Sequence, residues 1–94
     1  MTARDNLFIQ PYIEVTAGTK VTFTNKGQQG HDVLPADEGA FKPIEPDDFQ
    51  PAQKGEDYPT GTITFDEPGD YSYYCSLHGN AKKGMTGAIR VLEP

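Results

Sequence analysis

Wherever the apolar residues of this chain fall into a pattern, the period is two. Val21 and Phe23 alternate with Thr22 and Thr24, Ile63 and Phe65 with Thr62 and Thr64, and Ile89 and Val91 with Arg90. That spacing turns successive side chains to opposite faces of a strand, one face buried and the other wet. No window sustains the helical repeat of an amphipathic helix. The runs are short and end in turn chemistry, at Ala17-Gly18-Thr19, Asn25-Lys26-Gly27 and Glu67-Pro68-Gly69-Asp70. Proline presets φ and glycine accepts positive φ at such places. At 94 residues the chain is expected to form one domain, residues 1–94, with an all-β fold. An antiparallel sandwich or barrel is the architecture such strands build.

Residues 1–7 are polar and expected to be loose. Residues 8–25 read as two strands around a tight turn. Tyr71, Tyr73 and Cys75 share one parity of a later strand, and Gly87–Leu92 is the last. Residues 35–60 differ. They hold five of the eight prolines and seven acids against Lys42 and Lys54, most of the net charge of −6. Proline removes ladder donors and interrupts helices, so this stretch is expected to be an irregular acidic excursion with one short strand or turn near Phe41–Ile44. It reads first as a solvated loop and second as a lobe that steers a basic partner. Its charge argues against nucleic acid as a partner. No run has the length of a membrane span. Met1-Thr-Ala-Arg-Asp reads as an added start, and an export leader or anchor is expected outside this sequence.

The chemistry-bearing residues are few. His31 follows a strand-breaking segment, Cys75 ends a strand, His78 comes three positions later, and Met85 precedes the last strand. Both histidines and the only cysteine thus fall at strand ends or in loops. Cys75 and His78 can reach a common point beyond one strand, and His31 can converge from the neighbouring sheet. One thiolate and two imidazoles form a trigonal set, and a thioether suits a long axial contact. This donor set is the one that serves copper in one-electron transfer. Cu(I) favours soft sulfur and few ligands, whereas Cu(II) takes imidazole and wants more. A rigid compromise changes little on redox, so the electron moves fast.

Four segments carry a family resemblance: Val21-Thr-Phe-Thr-Asn25 leading to Gly30-His31, Phe65 through Tyr71-Ser-Tyr73-Tyr-Cys75, Cys75-Ser-Leu-His78, and Gly84-Met85-Thr-Gly87 running into Ile89 and Val91. With these the chain resembles the cupredoxins, especially the plastocyanin, pseudoazurin and halocyanin branch. The resemblance implies a Greek-key β-sandwich holding one copper ion at one end, with His31, Cys75, His78 and Met85 as ligands. It further implies an electron carrier rather than an enzyme, a monomer on the periplasmic or extracellular side of a membrane. Its partners would be redox proteins such as a cytochrome or a copper or haem oxidoreductase. Two departures stand out. Six residues separate His78 from Met85 where plastocyanin-like members usually hold four, and Asp32 stands where Asn usually ties the ligand loops together. A carboxylate there can accept hydrogen bonds from Ser76 and keep that role.

Taken singly, His31 reads as a capping residue, Cys75 as a small buried hydrophobe and Met85 as core filler; only the joint pattern argues for a metal. A Cys-His-His set plus water can bind zinc in a catalytic site, whereas a structural zinc site wants a fourth strong ligand, which methionine is not. A Cys75–His78 nucleophilic pair lacks a recognisable oxyanion hole or orienting Asn. With two histidines in all, no second copper centre of a multicopper oxidase can be built. The reading from another class is a module that handles copper without fast electron transfer.

Overall fold

The computed structural model describes the chain apart from Asp5, Asn6, Gln10, Glu38, Lys54 and residues 80–83. Its described residues form eight strands: β1 (Thr2–Ala3), β2 (Phe8–Ile9), β3 (Tyr12–Thr16), β4 (Thr19–Asn25), β5 (Leu34–Pro35), β6 (Thr60–Phe65), β7 (Gly69–Gly79) and β8 (Gly84–Leu92). One sheet runs β2-β1-β4-β6 and the other β3-β8-β7-β5. Every connection from β2 through β7 changes sheets. This is the expected all-β Greek-key sandwich, with side chains alternating between core and solvent along each strand.

Some sequence expectations need correction. The sheets are mixed rather than wholly antiparallel, because β1 runs parallel to β4 and β3 parallel to β8. Nor is the amino-terminal segment loose throughout. Ala3 is fully buried, and Thr2–Ala3 occupies the side of β4 that β6 leaves open. Polar side chains hid this, since a strand edge needs a backbone partner and takes one regardless of side chain. The two strands around Gly18 also belong to different sheets. The Ala17 amide donates to Leu92 of one sheet at 2.8 Å, and the Gly18 amide to Phe65 of the other at 2.7 Å. Gly18 sits at φ 91°, a conformation that glycine adopts without steric cost.

The predicted parity holds through the core. Val21, Phe23, Ile63 and Phe65 face inward from one sheet, and Tyr73, Cys75, Ile89 and Val91 from the other. The Tyr73 ring meets Phe8 and Phe23 edge-to-face, with centroids 4.9 and 5.3 Å apart, the geometry that aromatic quadrupoles favour. Gly87 lies opposite Tyr73 across the ladder. A Cβ there would meet the tyrosine ring at 2.3 Å, so only glycine lets that ring lie over β8.

The excursion is irregular as expected. Among its described residues it holds the end of β5, one isolated bridge from Val33 to Ile44, and a 3-10 turn at Pro46–Asp48. The short strand or turn expected near Phe41–Ile44 is present as that single bridge at Ile44. The segment is nevertheless not merely a solvated loop. Asp37, Glu45, Asp47, Asp48, Glu56 and Asp57 are exposed, but Phe41, Ile44 and Phe49 are buried in the core. Each such burial contributes about 1.5–3 kcal/mol, which pins the excursion against the sandwich.

Candidate metal centre

The ladder between β7 and β8 is regular from Gly69↔Val91 to Tyr74↔Thr86, then breaks. It resumes only at Gly79↔Gly84. Between those points four residues of β7, Cys75 to His78, face the single residue Met85 of β8. The surplus backbone bows away from the pairing line, as bulges do when a strand must re-aim its side chains. Gly84 closes the bulge at φ 94°, where a Cβ would stand 2.7 Å from both Gly79 Cα and the His78 carbonyl oxygen. Glycine at 84 is therefore needed for both conformation and space.

His31 arrives from the other sheet. The chain leaves β4 at Asn25, and the His31 amide donates to the Phe49 carbonyl at 3.2 Å. That brings the buried His31 ring over the bulge. Cys75 Sγ lies 3.6 Å from His31 Nδ1 and 3.7 Å from His78 Nδ1, and the three donor atoms all fall within 4.8 Å of one another. Two donors bound to one first-row metal at usual imidazole and thiolate distances, about 2.0–2.3 Å, and 120° apart lie about 3.7 Å from each other. The two sulfur–nitrogen spacings match that value, so the donor set present fits such an ion. Met85 is fully buried in the same core as Cys75, opposite the bulge.

Asp32 locks the two ligand-bearing segments together. Its Oδ1 accepts from the Ser76 amide at 2.7 Å and its Oδ2 from the Ser76 hydroxyl at 2.5 Å. The residue after His31 is thus tied to the residue after Cys75, as the sequence expectation for this carboxylate had it. Burial pushes the Cys75 thiol up from its ordinary value, and the negative charge of Asp32 adds to the rise. A metal that binds here displaces the thiol proton, and its positive charge then supports the thiolate.

Sequence reasoning brought together His31, Cys75 and His78, and the structure converges them. His78 is half-buried whereas His31 is fully buried. The sequence reading missed the supports. Asn25 read as a strand breaker, yet its buried side chain donates to the carbonyls of Gln29 and Phe49. The Asn-Lys-Gly turn signal marked the bend without revealing that clamp. Nothing singled out Gln29, whose Oε1 accepts a hydrogen bond from His78 Nε2. Lys82 and Lys83, in the loop between His78 and Met85, lie outside the described residues.

A two-sheet β-sandwich with one thiol and two imidazoles converging at one end defines a cupredoxin. The family model of copper-binding proteins of the plastocyanin/azurin family matches residues 2–92, and the chain belongs to that family. It is 34% identical over 90 residues to plastocyanin of Solanum crispum, covering 89% of this chain and 86% of that protein. Among solved structures, a variant of amicyanin in its reduced form superposes with a TM-score of 0.67 at 22% identity, covering 98% of this chain and 81% of that one. A copper-containing nitrite reductase of Thermus scotoductus superposes with a TM-score of 0.60 at 29% identity; the match covers 89% of this chain but 20% of that one. The function is one-electron transfer at a single type 1 copper ion.

Proposed function

We propose that His31, Cys75, His78 and Met85 would hold the copper ion, and that residues 1–94 act as a single domain carrying electrons between redox proteins. The observation that carries this reading is the convergence of three donors at the bite of one ion, from segments tied by Asp32. The copper supplies the Cu(I)/Cu(II) couple. The residues would supply a fixed cage: a thiolate, two imidazoles aimed by their own segments, and the Met85 thioether. A cage that keeps its shape in both states keeps reorganisation small.

The carrier itself performs no catalysis in this reading. Its partners are redox proteins such as a cytochrome or a copper or haem oxidoreductase. The half-buried His78 ring and the exposed Leu77 beside it form the natural exit for the electron. Exposed carboxylates of the excursion favour a basic partner, whose association rate should fall as salt rises; a rate indifferent to ionic strength contradicts this. The family resemblance supports an exported, monomeric protein on the periplasmic or extracellular side. No helix among the described residues is long and apolar enough to cross a membrane.

Titration with Cu(II), followed by visible absorption, tests the reading. The protein should turn intensely blue at one equivalent through its copper–thiolate bond, and Cys75→Ser should bind without colour. A colourless wild-type protein that takes up only Cu(I) would instead mark a copper-handling module.

A further inference from the structure

Residues 26–30, between β4 and His31, form no strand, yet their path is specified at several points. Asn25 is buried, and its Nδ2 donates to the Gln29 carbonyl at 3.0 Å and to the Phe49 carbonyl at 2.8 Å. Its Oδ1 accepts from the Gly27 amide at 2.9 Å. The Gln50 carboxamide packs over Gly30, where a Cβ would meet it at 3.0 Å, and Gln50 is itself tied to the Pro46 carbonyl at 2.7 Å. The loop is thereby fastened to β4 on one side and to the excursion on the other. From this mount the Gln29 side chain reaches the edge of the site, where its Oε1 accepts a hydrogen bond from Nε2 of His78.

We propose that Gln29 is a positioning residue for the copper centre: it holds His78 in the tautomer protonated at Nε2, with the Nδ1 lone pair turned toward the ion. This rests on the ligand reading given above. A neutral imidazole carries one N–H and one lone pair, and the hydrogen bond made by one nitrogen decides which role the other takes. Here the two nitrogens face opposite ways, Nδ1 toward Cys75 Sγ at 3.7 Å and Nε2 toward Gln29. The need differs between the two histidines. His31 is enclosed by the core, whereas His78 is only half-buried, so packing alone orients it less. Gln29 does for His78 what enclosure does for His31, and outer hydrogen-bond partners of this kind aim a ligating ring and raise its basicity.

The test uses the full chain, metal-free and Cu(I)-loaded, with long-range nitrogen–proton NMR correlations of both histidine rings. Wild-type His78 should be protonated at Nε2 in both forms, with that proton shielded from exchange. Gln29→Leu should mix the tautomers in the metal-free protein, open the Nε2 proton to exchange, and weaken copper binding about 10- to 100-fold in chelator competition. Gln29→Glu should restore all three, because a carboxylate accepts the same bond. Within each form, metal-free or Cu(I)-loaded, His31 signals should stay fixed between wild type and variants and report that the fold is intact; should Gln29→Leu disturb them, Gln29→Ala takes its place. An unchanged His78 tautomer and copper affinity in the apolar variant, or no rescue by glutamate, overturns the proposal. Failure of the ligand reading looks different. The wild-type copper protein would then lack its blue colour, while the tautomer of the metal-free protein still decides the role of Gln29.

Discussion

Asp32 shows how one side chain can serve architecture and electronics together. Its two oxygens hold Ser76 and so fix the spacing between the segments of His31 and Cys75. The same carboxylate, 2% exposed, sets a negative charge beside the thiolate, which favours Cu(II) over Cu(I). Asn at this position can still accept from the Ser76 amide, so Asp32→Asn should keep the fold. It should raise the midpoint potential by roughly one tenfold step in relative affinity for the two copper states, about 59 mV for one electron. Protein-film voltammetry reads this directly, and an unmoved or lowered potential contradicts it.

At the level of strands, the site exists because the β7–β8 ladder fails locally. Paired glycines on either side of the failure keep it local: Gly84 closes the bulge, and Gly87 admits the Tyr73 ring. Gly87→Ala forces a methyl group into that ring or the Pro11 carbonyl. It should cost about 1–3 kcal/mol of stability by overpacking, read as a lower denaturation midpoint with an unchanged slope; a midpoint equal to wild type contradicts it. The strands themselves were legible because period-two alternation reports burial directly, as Val21, Phe23, Ile63 and Phe65 show. The three converging donors were legible because scarce residue types fell near the expected strand ends, although β7 carries Cys75 and His78 on through its bulge to Gly79. Sheet membership was not, since the turn at Gly18 looks the same whether its strands pair or part. Nor was the clamp of Asn25, Gln29 and Phe49, because its contacts run through backbone carbonyls that carry no residue identity.

For the molecule as a whole, the metal and the fold are coupled through protons. Burial raises the thiol of Cys75 and the phenol of Tyr73 above their ordinary values. The folded metal-free protein therefore keeps protons that the unfolded chain gives up. Stability from this source is intact below the ordinary thiol value, about 8.5, and drains away as the pH climbs through that value and on past about 10. Thermal unfolding of the metal-free protein should show that decline. The copper form should lose less, since its thiol proton is already gone and bound metal favours the folded state. Identical alkaline profiles for the two forms contradict the coupling. The claim beneath all of this is that segments from both sheets meet at one ion, and X-ray absorption at the copper edge sees that ion alone. The account predicts one short sulfur and two imidazole nitrogens in the Cu(I) and Cu(II) forms alike, with the short sulfur lost in Cys75→Ser. A shell of oxygens without sulfur, or one that rebuilds on reduction, would contradict it.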